Sequence, residues 1–249
     1  MGSLFRSFLA ALGLLTVLPV GRGSPTPREL AGAVPFFPLV GSVVGVILLA
    51  LDCVFAALPE PVRGALLLGA LAFITGALHL DGLADTCDGL AGTSPERRLA
   101  IMADTRTGVY GAVGVTCLLL LKFTALASLG PPLRGPALIV APVMGRWAMT
   151  LAITIFPYAR GPGGLGYHFK QGARRPGFLA ATLFTTTVVV VLVPWPFNAA
   201  LTVIVPLVYA TGLWMTRRLG GLTGDVYGAT CETVETFVFV LFTAAPWRG

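Results

Sequence analysis

Charge is what this chain has least of. Asp, Glu, Lys and Arg make up 11% of its 249 residues, under half of the roughly 25% usual in a soluble domain. With 55% hydrophobic residues and a mean hydropathy of +0.85, that scarcity excludes an ordinary soluble fold. Cysteine is sparse too: Cys53, Cys87, Cys117 and Cys231 are scattered without a C-x-x-C pair, which excludes a disulfide framework and a zinc site. They read as small apolar residues of membrane helices, and only Cys87 stands beside acids. No stripe of Lys and Arg interleaved with aromatics occurs, so no nucleic acid is expected as a partner. The net charge of +6 reads as topology and attraction to anionic headgroups. There is no fixed-period repeat, and no A-x-A pattern follows the apolar N-terminus.

What remains is apolar sequence in long runs. Stretches able to span a bilayer fall at about 35–57, 64–80, 109–129, 136–156, 177–194, 197–216 and 226–245, with a marginal first run at about 4–20, a membrane or interfacial helix. The reading is an all-α integral membrane protein, a bundle of about seven or eight transmembrane or membrane-embedded helices, in one membrane-embedded domain over 1–249. If every run spans, Arg22, Arg28, Arg97, Arg98, Arg106, Arg160, Lys170, Arg174, Arg175, Arg217 and Arg218 share one side. Arg6, Arg63, Arg134 and Arg248 share the other, with Lys122 and Arg146 inside spans. That bias marks the first side as cytoplasmic. Lys122 is expected to snorkel to an interface, and Arg146 to need a partner, with the acidic site within reach. Pro35-Phe-Phe-Pro38 followed by Gly41 and Gly45 reads as a closely packed helix start.

The few acids are not spread evenly. Eight of the eleven fall on two stretches that this topology places at one face. In His79-Leu-Asp81-Gly-Leu-Ala-Asp85-Thr-Cys-Asp88-Gly89 the aspartates stand at i, i+4 and i+7, one stripe of a helix. Like charges so arranged repel and call for a counter-cation, and Mg²⁺ takes hard oxygen ligands and works on phosphates. Asp104 adds a fourth carboxylate and Arg106 a fixed cation. These make Asp81, Asp85, Asp88 and Asp104 the candidate catalytic and metal-ligating set, and Arg98 and Arg106 candidate phosphate-binding groups. The second stretch, Gly221-Leu-Thr-Gly224-Asp225 through Glu232 and Glu235, puts three acids on one helical face, two of them entering an apolar run where acids are costly. Asp225, Glu232, Glu235, His79 and Arg146 are therefore candidate substrate-binding residues. His168 lies with Arg160, Lys170, Arg174 and Arg175 in a basic, glycine-rich loop for which a topogenic role is the preferred reading and contact with substrate phosphate the alternative.

Three motifs carry a family resemblance. They are His79-x-Asp81-Gly-x-Ala-Asp85-x-x-Asp88-Gly89, Arg98-x-x-Ile101-Met102-x-Asp104-x-Arg106-x-Gly108-x-Tyr110-Gly111, and Gly221-Leu-Thr-Gly224-Asp225-x-x-Gly228-Ala229-x-x-Glu232. The chain resembles the cobalamin 5′-phosphate synthases, or adenosylcobinamide-GDP ribazoletransferases, over nearly its whole length, although 112–215 matches mainly in hydropathy. The resemblance implies a multi-pass transferase of the bacterial inner membrane with its active site at the cytoplasmic face. It implies Mg²⁺ as cofactor, and adenosylcobinamide-GDP and α-ribazole or its 5′-phosphate as substrates. The implied reaction gives adenosylcobalamin, or its 5′-phosphate, and GMP. Asp104 or Asp88 is the expected proton acceptor. A CDP-alcohol phosphotransferase-like lipid enzyme and a cation transporter are the rival readings, and homo-oligomerisation stays open.

Overall fold

The computed structural model describes residues 2–20, 24–195 and 197–244, with Ala200 described in its backbone only. Arg22 and Arg248 of the charge count lie outside them. In chain order the helices are α1 Ser3–Leu15, α2 Pro27–Ala31, α3 Phe37–Val54, α4 Glu60–Ile74, α5 Leu78–Gly89, α6 Pro95–Ile101 and α7 Val109–Ser128. After these come α8 Pro131–Ile155, α9 Leu165–Gly172, α10 Arg175–Leu192, α11 Phe197–Ala200, α12 Ile204–Leu219 and α13 Gly224–Phe242. No strand forms among the described residues.

The bundle is built round α8. Every residue from Val140 to Ile153 is buried, as expected of a helix apolar on all sides, and α3, α10 and α13 pack against it. Gly41 and Gly45 let α3 lie directly on its backbone. A Cβ on Gly41 would come within 2.5 Å of Pro142 O and one on Gly45 within 2.7 Å of Ile139 Cα, the small-xxx-small contact that membrane helices use. The outer helices turn large apolar side chains outward, among them Val113, Leu120 and Leu121 of α7 and Leu183, Val190 and Val191 of α10. Five helical segments, 34–54, 109–128, 131–155, 175–192 and 197–219, are long and apolar enough to cross a membrane.

The continuous run expected at 64–80 is in fact broken. α4 and α5 meet at 87°, and counted together they would make a sixth span. The break is a left-handed pair, Gly76 at φ 59° and Ala77 at φ 53°, closed by Ala77 N–H donating to Ala72 O at 2.8 Å. Hydropathy does not report such a turn because both residues are apolar or neutral. We do not read α5 as a span: its 12 residues rise only about 18 Å and carry three carboxylates.

Ion pairs mark the two ends of the bundle. At one, Arg63 donates to Asp52 at 2.5 Å and Arg134 pairs with Glu60. The other gathers α5, the start of α7, the end of α8 and the start of α13. α1 does not run between them. Arg6 reaches Glu29 at 3.8 Å, Val17 N–H donates to Ile74 O at 2.8 Å, and 13 residues rise about 20 Å against a bilayer core of about 30 Å. Arg6, counted above with the minority, therefore stands beside Glu29, next to Arg28 of the majority.

Candidate active site

The i, i+4, i+7 stripe forms as a helix, but its three members have different surroundings: Asp81 is exposed, Asp85 half-buried and Asp88 buried. Asp88 accepts from the amides of Gly108 at 2.7 Å and Gly111 at 2.9 Å. It thereby caps the first turn of α7, where a carboxylate is favoured by orphan N–H groups and by the helix dipole. The two glycines make room for it, since a Cβ on either would come within 2.5 Å of its carboxylate. Asp104 is likewise engaged. It accepts from the Arg106 backbone at 3.0 Å, from Nε at 3.0 Å and from Nη2 at 2.7 Å, which holds its carboxyl down to about 2. That pair stands on an exposed loop with Arg106 pointing to solvent.

α13 brings Asp225 to the remaining two aspartates. It crosses α5 with glycine in contact on both sides: a Cβ on Gly82 would come within 2.8 Å of Asp225 O, and one on Gly228 within 3.2 Å of His79 Cα. Thr223 caps α13 by accepting from Val226 N–H at 3.3 Å and donates its hydroxyl to Asp225 at 3.2 Å. Burial pushes the Asp225 carboxyl up, against the pull of Arg160. Asp85 rises to about 6, first through burial, then through the charges of Asp81, Asp225 and Asp88, with Arg160 opposing. Crowded carboxylates in contact with solvent, one of them raised toward neutral pH, are what proton transfer and cation binding both use.

The group facing this cluster is Arg160, from the basic loop whose expected role is topogenic. Its Nη2 donates to Asp225 at 3.0 Å and to Met102 O at 3.4 Å. The carrier is a short backbone pairing between Pro157–Ala159 and Leu222, with Leu222 N–H to Pro157 O at 2.8 Å and Ala159 N–H to Leu222 O at 2.9 Å. Glycine at 221 permits it, because a Cβ there would stand 2.8 Å from Pro157 O and Ala159 N. The glycine motif itself was the available signal, since it requires something to lie against it.

Other expected members stand elsewhere. Glu232 and Glu235 do not reach the cluster but point into the bundle, where Lys122 Nζ meets them at 2.6 and 2.7 Å and Arg146 pairs with Glu235. Lys122 therefore does not snorkel: two buried carboxylates offer more than a distant interface. Arg146 finds its partner in Glu235. His79 is buried at the crossing beside Gly228, and neither ring nitrogen has a hydrogen-bond partner among the described residues. Arg98 is half-buried and reaches Arg218 O at 3.4 Å. Lys170 donates to Ile153 O and Thr154 O at 2.8 and 3.0 Å, closing the end of α8.

Among the described residues no three His, Cys, Asp or Glu side chains are arranged round one point as a metal site. The reason is visible in the partners: Asp88 is turned to amides, Asp104 to Arg106 and Asp225 to Arg160. In donor chemistry and charge, Asp81, Asp85 and Asp225 nonetheless fit a hard divalent cation. They are oxygen donors, mutually repelling, with only one guanidinium opposite among the described residues.

The family model for cobalamin-5-phosphate synthase matches residues 7–243. Among similar curated proteins, the adenosylcobinamide-GDP ribazoletransferase of Desulforamulus reducens is 39% identical over 243 residues, 96% of each chain. That of Synechococcus elongatus is 38% identical over 94% of each. That of a Roseiflexus species is 40% identical over 96% of this chain and 90% of its own. No solved structure matches the chain.

Proposed function

The chain belongs to the cobalamin-5-phosphate synthase family, and from that premise we propose how its residues serve a ribazoletransferase reaction. The phosphocobinamide group of adenosylcobinamide-GDP passes to a hydroxyl of α-ribazole or its 5′-phosphate. A new P–O bond forms at the phosphorus bearing the cobinamide arm, the diphosphate bridge breaks, and GMP leaves with the bridging oxygen. The observation that carries this reading is the glycine-lined crossing of α5 and α13, which sets Asp81, Asp85 and Asp225 in mutual range beneath Arg160.

Mg²⁺, when bound, would neutralise charge on the diphosphate as GMP departs. Asp81, Asp85 and Asp225 are the residues that would hold it. Asp81 and Asp85 accept no hydrogen bond within the described residues, whereas Asp88 and Asp104 would first have to leave their partners. Proton acceptance from the attacking hydroxyl accordingly falls to whichever of Asp85 and Asp81 is left off the metal, in place of Asp88 or Asp104. Asp88 instead fixes α7 against α5. The acid-bearing end also carries Arg98, Arg160 and Arg218, which supports a cytoplasmic orientation under the positive-inside bias.

The test is turnover in liposomes. Adenosylcobinamide-GDP, α-ribazole and Mg²⁺ should yield GMP and cobalamin in equal amounts, and a chelator should stop both. GMP formation that persists without divalent cation contradicts the metal assignment; no product from folded protein contradicts the reaction.

A further inference from the structure

We propose that Arg160 is a resident counter-cation of the carboxylate cluster, displaced from Asp225 by a divalent metal and then free to bind the diphosphate of the substrate. The inference rests on the reading of the cluster given above and adds a residue that reading does not require.

The base of Arg160 is fixed and its head is loose. Two backbone hydrogen bonds tie Pro157–Ala159 to Leu222, and Gly221 allows the two strands of chain to touch. The side chain, in contrast, is about one-third exposed. Only Nη2 is engaged, by one oxygen of Asp225 and, weakly, by Met102 O. Nε and Nη1 donate to nothing among the described residues, so each edge of the planar fork is held through Nη2 alone, and an edge comes free once Nη2 leaves Asp225. That edge matches two oxygens of a phosphate. A guanidinium stays charged at any working pH, so it competes with a metal for Asp225 under all conditions, whereas a metal neutralises the cluster with two charges. Once Asp225 turns to a metal, Arg160 loses its one anionic partner, and the nearest anion of suitable shape is the diphosphate that the same metal attracts. Of the other basic groups at this end, Arg106 is held by Asp104, Lys170 by carbonyls of α8 and Arg98 at one nitrogen by Arg218 O.

A merely structural Arg160 and a competing one differ in the sign of one effect. Full-length protein in detergent is titrated with Mn²⁺, free ion being read by electron paramagnetic resonance, and then with GDP in saturating Mn²⁺. Arg160→Gln is expected to bind Mn²⁺ about 5-fold or more tightly than wild type and GDP about 10-fold more weakly. Arg160→Lys keeps the charge and loses the fork, so its Mn²⁺ affinity should stay near wild type while GDP binding weakens. It decides the matter should thermal melting show that Arg160→Gln does not fold. Mn²⁺ affinity lowered or unchanged in Arg160→Gln, or GDP binding unchanged in both variants, overturns the proposal. Asp225→Asn tells the two levels apart. Wild type that binds Mn²⁺ with no loss in Asp225→Asn overturns the exchange at Asp225 alone, while wild type that binds no Mn²⁺ overturns the metal reading and the exchange together.

Discussion

Two groups of charges lie on α13, and they are treated in opposite ways. Glu232 and Glu235, deep in the bundle, meet Lys122 and Arg146 with almost no exposure on any of the four. Two negative charges face two positive ones. Asp225, less than two turns earlier in the chain, joins Asp81 and Asp85 with a single guanidinium opposite, so three negative charges face one. The first group is balanced and closed, which is what a membrane interior demands of charge. The second is unbalanced and open to solvent, a state that costs stability and makes sense where a cation and an anionic substrate are to arrive. The difference separates acids that serve the fold from acids that serve chemistry, although sequence spacing joins them on one helix face.

The sharpest way to break the comparison is to neutralise one acid of each kind. Asp85→Asn should lower turnover by about 10³-fold or more. It should also melt no lower than wild type. Asp85 is raised from its ordinary value to about 6, so the folded state binds its proton more tightly than the unfolded chain does. Stability contributed by the neutral form is full below about pH 4 and lost as pH rises through 6. Removing the charge should recover some of it at pH 7, on the order of 2 °C in melting temperature. Glu235→Gln should do the reverse. It leaves Arg146 buried without its partner and destabilises by about 3–5 kcal/mol, read as loss of folded protein in detergent. Pairing Lys122→Met with Glu232→Gln removes one charge of each sign and should cost much less.

Smaller changes sharpen the boundary. Gly82→Ala pushes a methyl against Asp225 O; turnover should fall about 10- to 100-fold by misplacement, with melting shifted far less than in Glu235→Gln. In metal-free protein the Asp85 carboxyl should titrate near 6, and its titration should move to lower pH in Asp81→Asn, because the Asp81 charge is the largest electrostatic contribution holding Asp85 up; carboxyl bands in infrared difference spectra check both. Least of all, Ala77→Gly relieves a left-handed alanine and should stabilise by about 1 kcal/mol or less.

Much of this was legible in the sequence, and the omissions have physical causes. Apolar length alone located α3, α7, α10 and α13 to within three residues at either end and α8 and α12 less closely, and the 3.6-residue period put Asp81, Asp85 and Asp88 on one stripe. The turn at Gly76–Ala77 left no trace, because a left-handed pair changes direction without changing hydropathy. The stripe also said nothing about which acids were already engaged. Asp88 is committed by amides 20 and 23 residues away, and main-chain donors have no sequence signature. Lys122 and Arg146 were conspicuous as charges inside apolar runs, but pairing them with Glu232 and Glu235 takes three helices packed in a particular rotation. Arg160 reaches Asp225 across 65 residues on the strength of one short backbone pairing, which has no periodicity to read.

The most direct measurement is GMP release by Asp85→Asn in liposomes supplied with adenosylcobinamide-GDP, α-ribazole and Mg²⁺, taken beside its melting curve. A protein that melts at or above wild type and releases no GMP above background is the predicted result. GMP release at the wild-type rate from the folded variant would contradict the assignment of this cluster to the reaction.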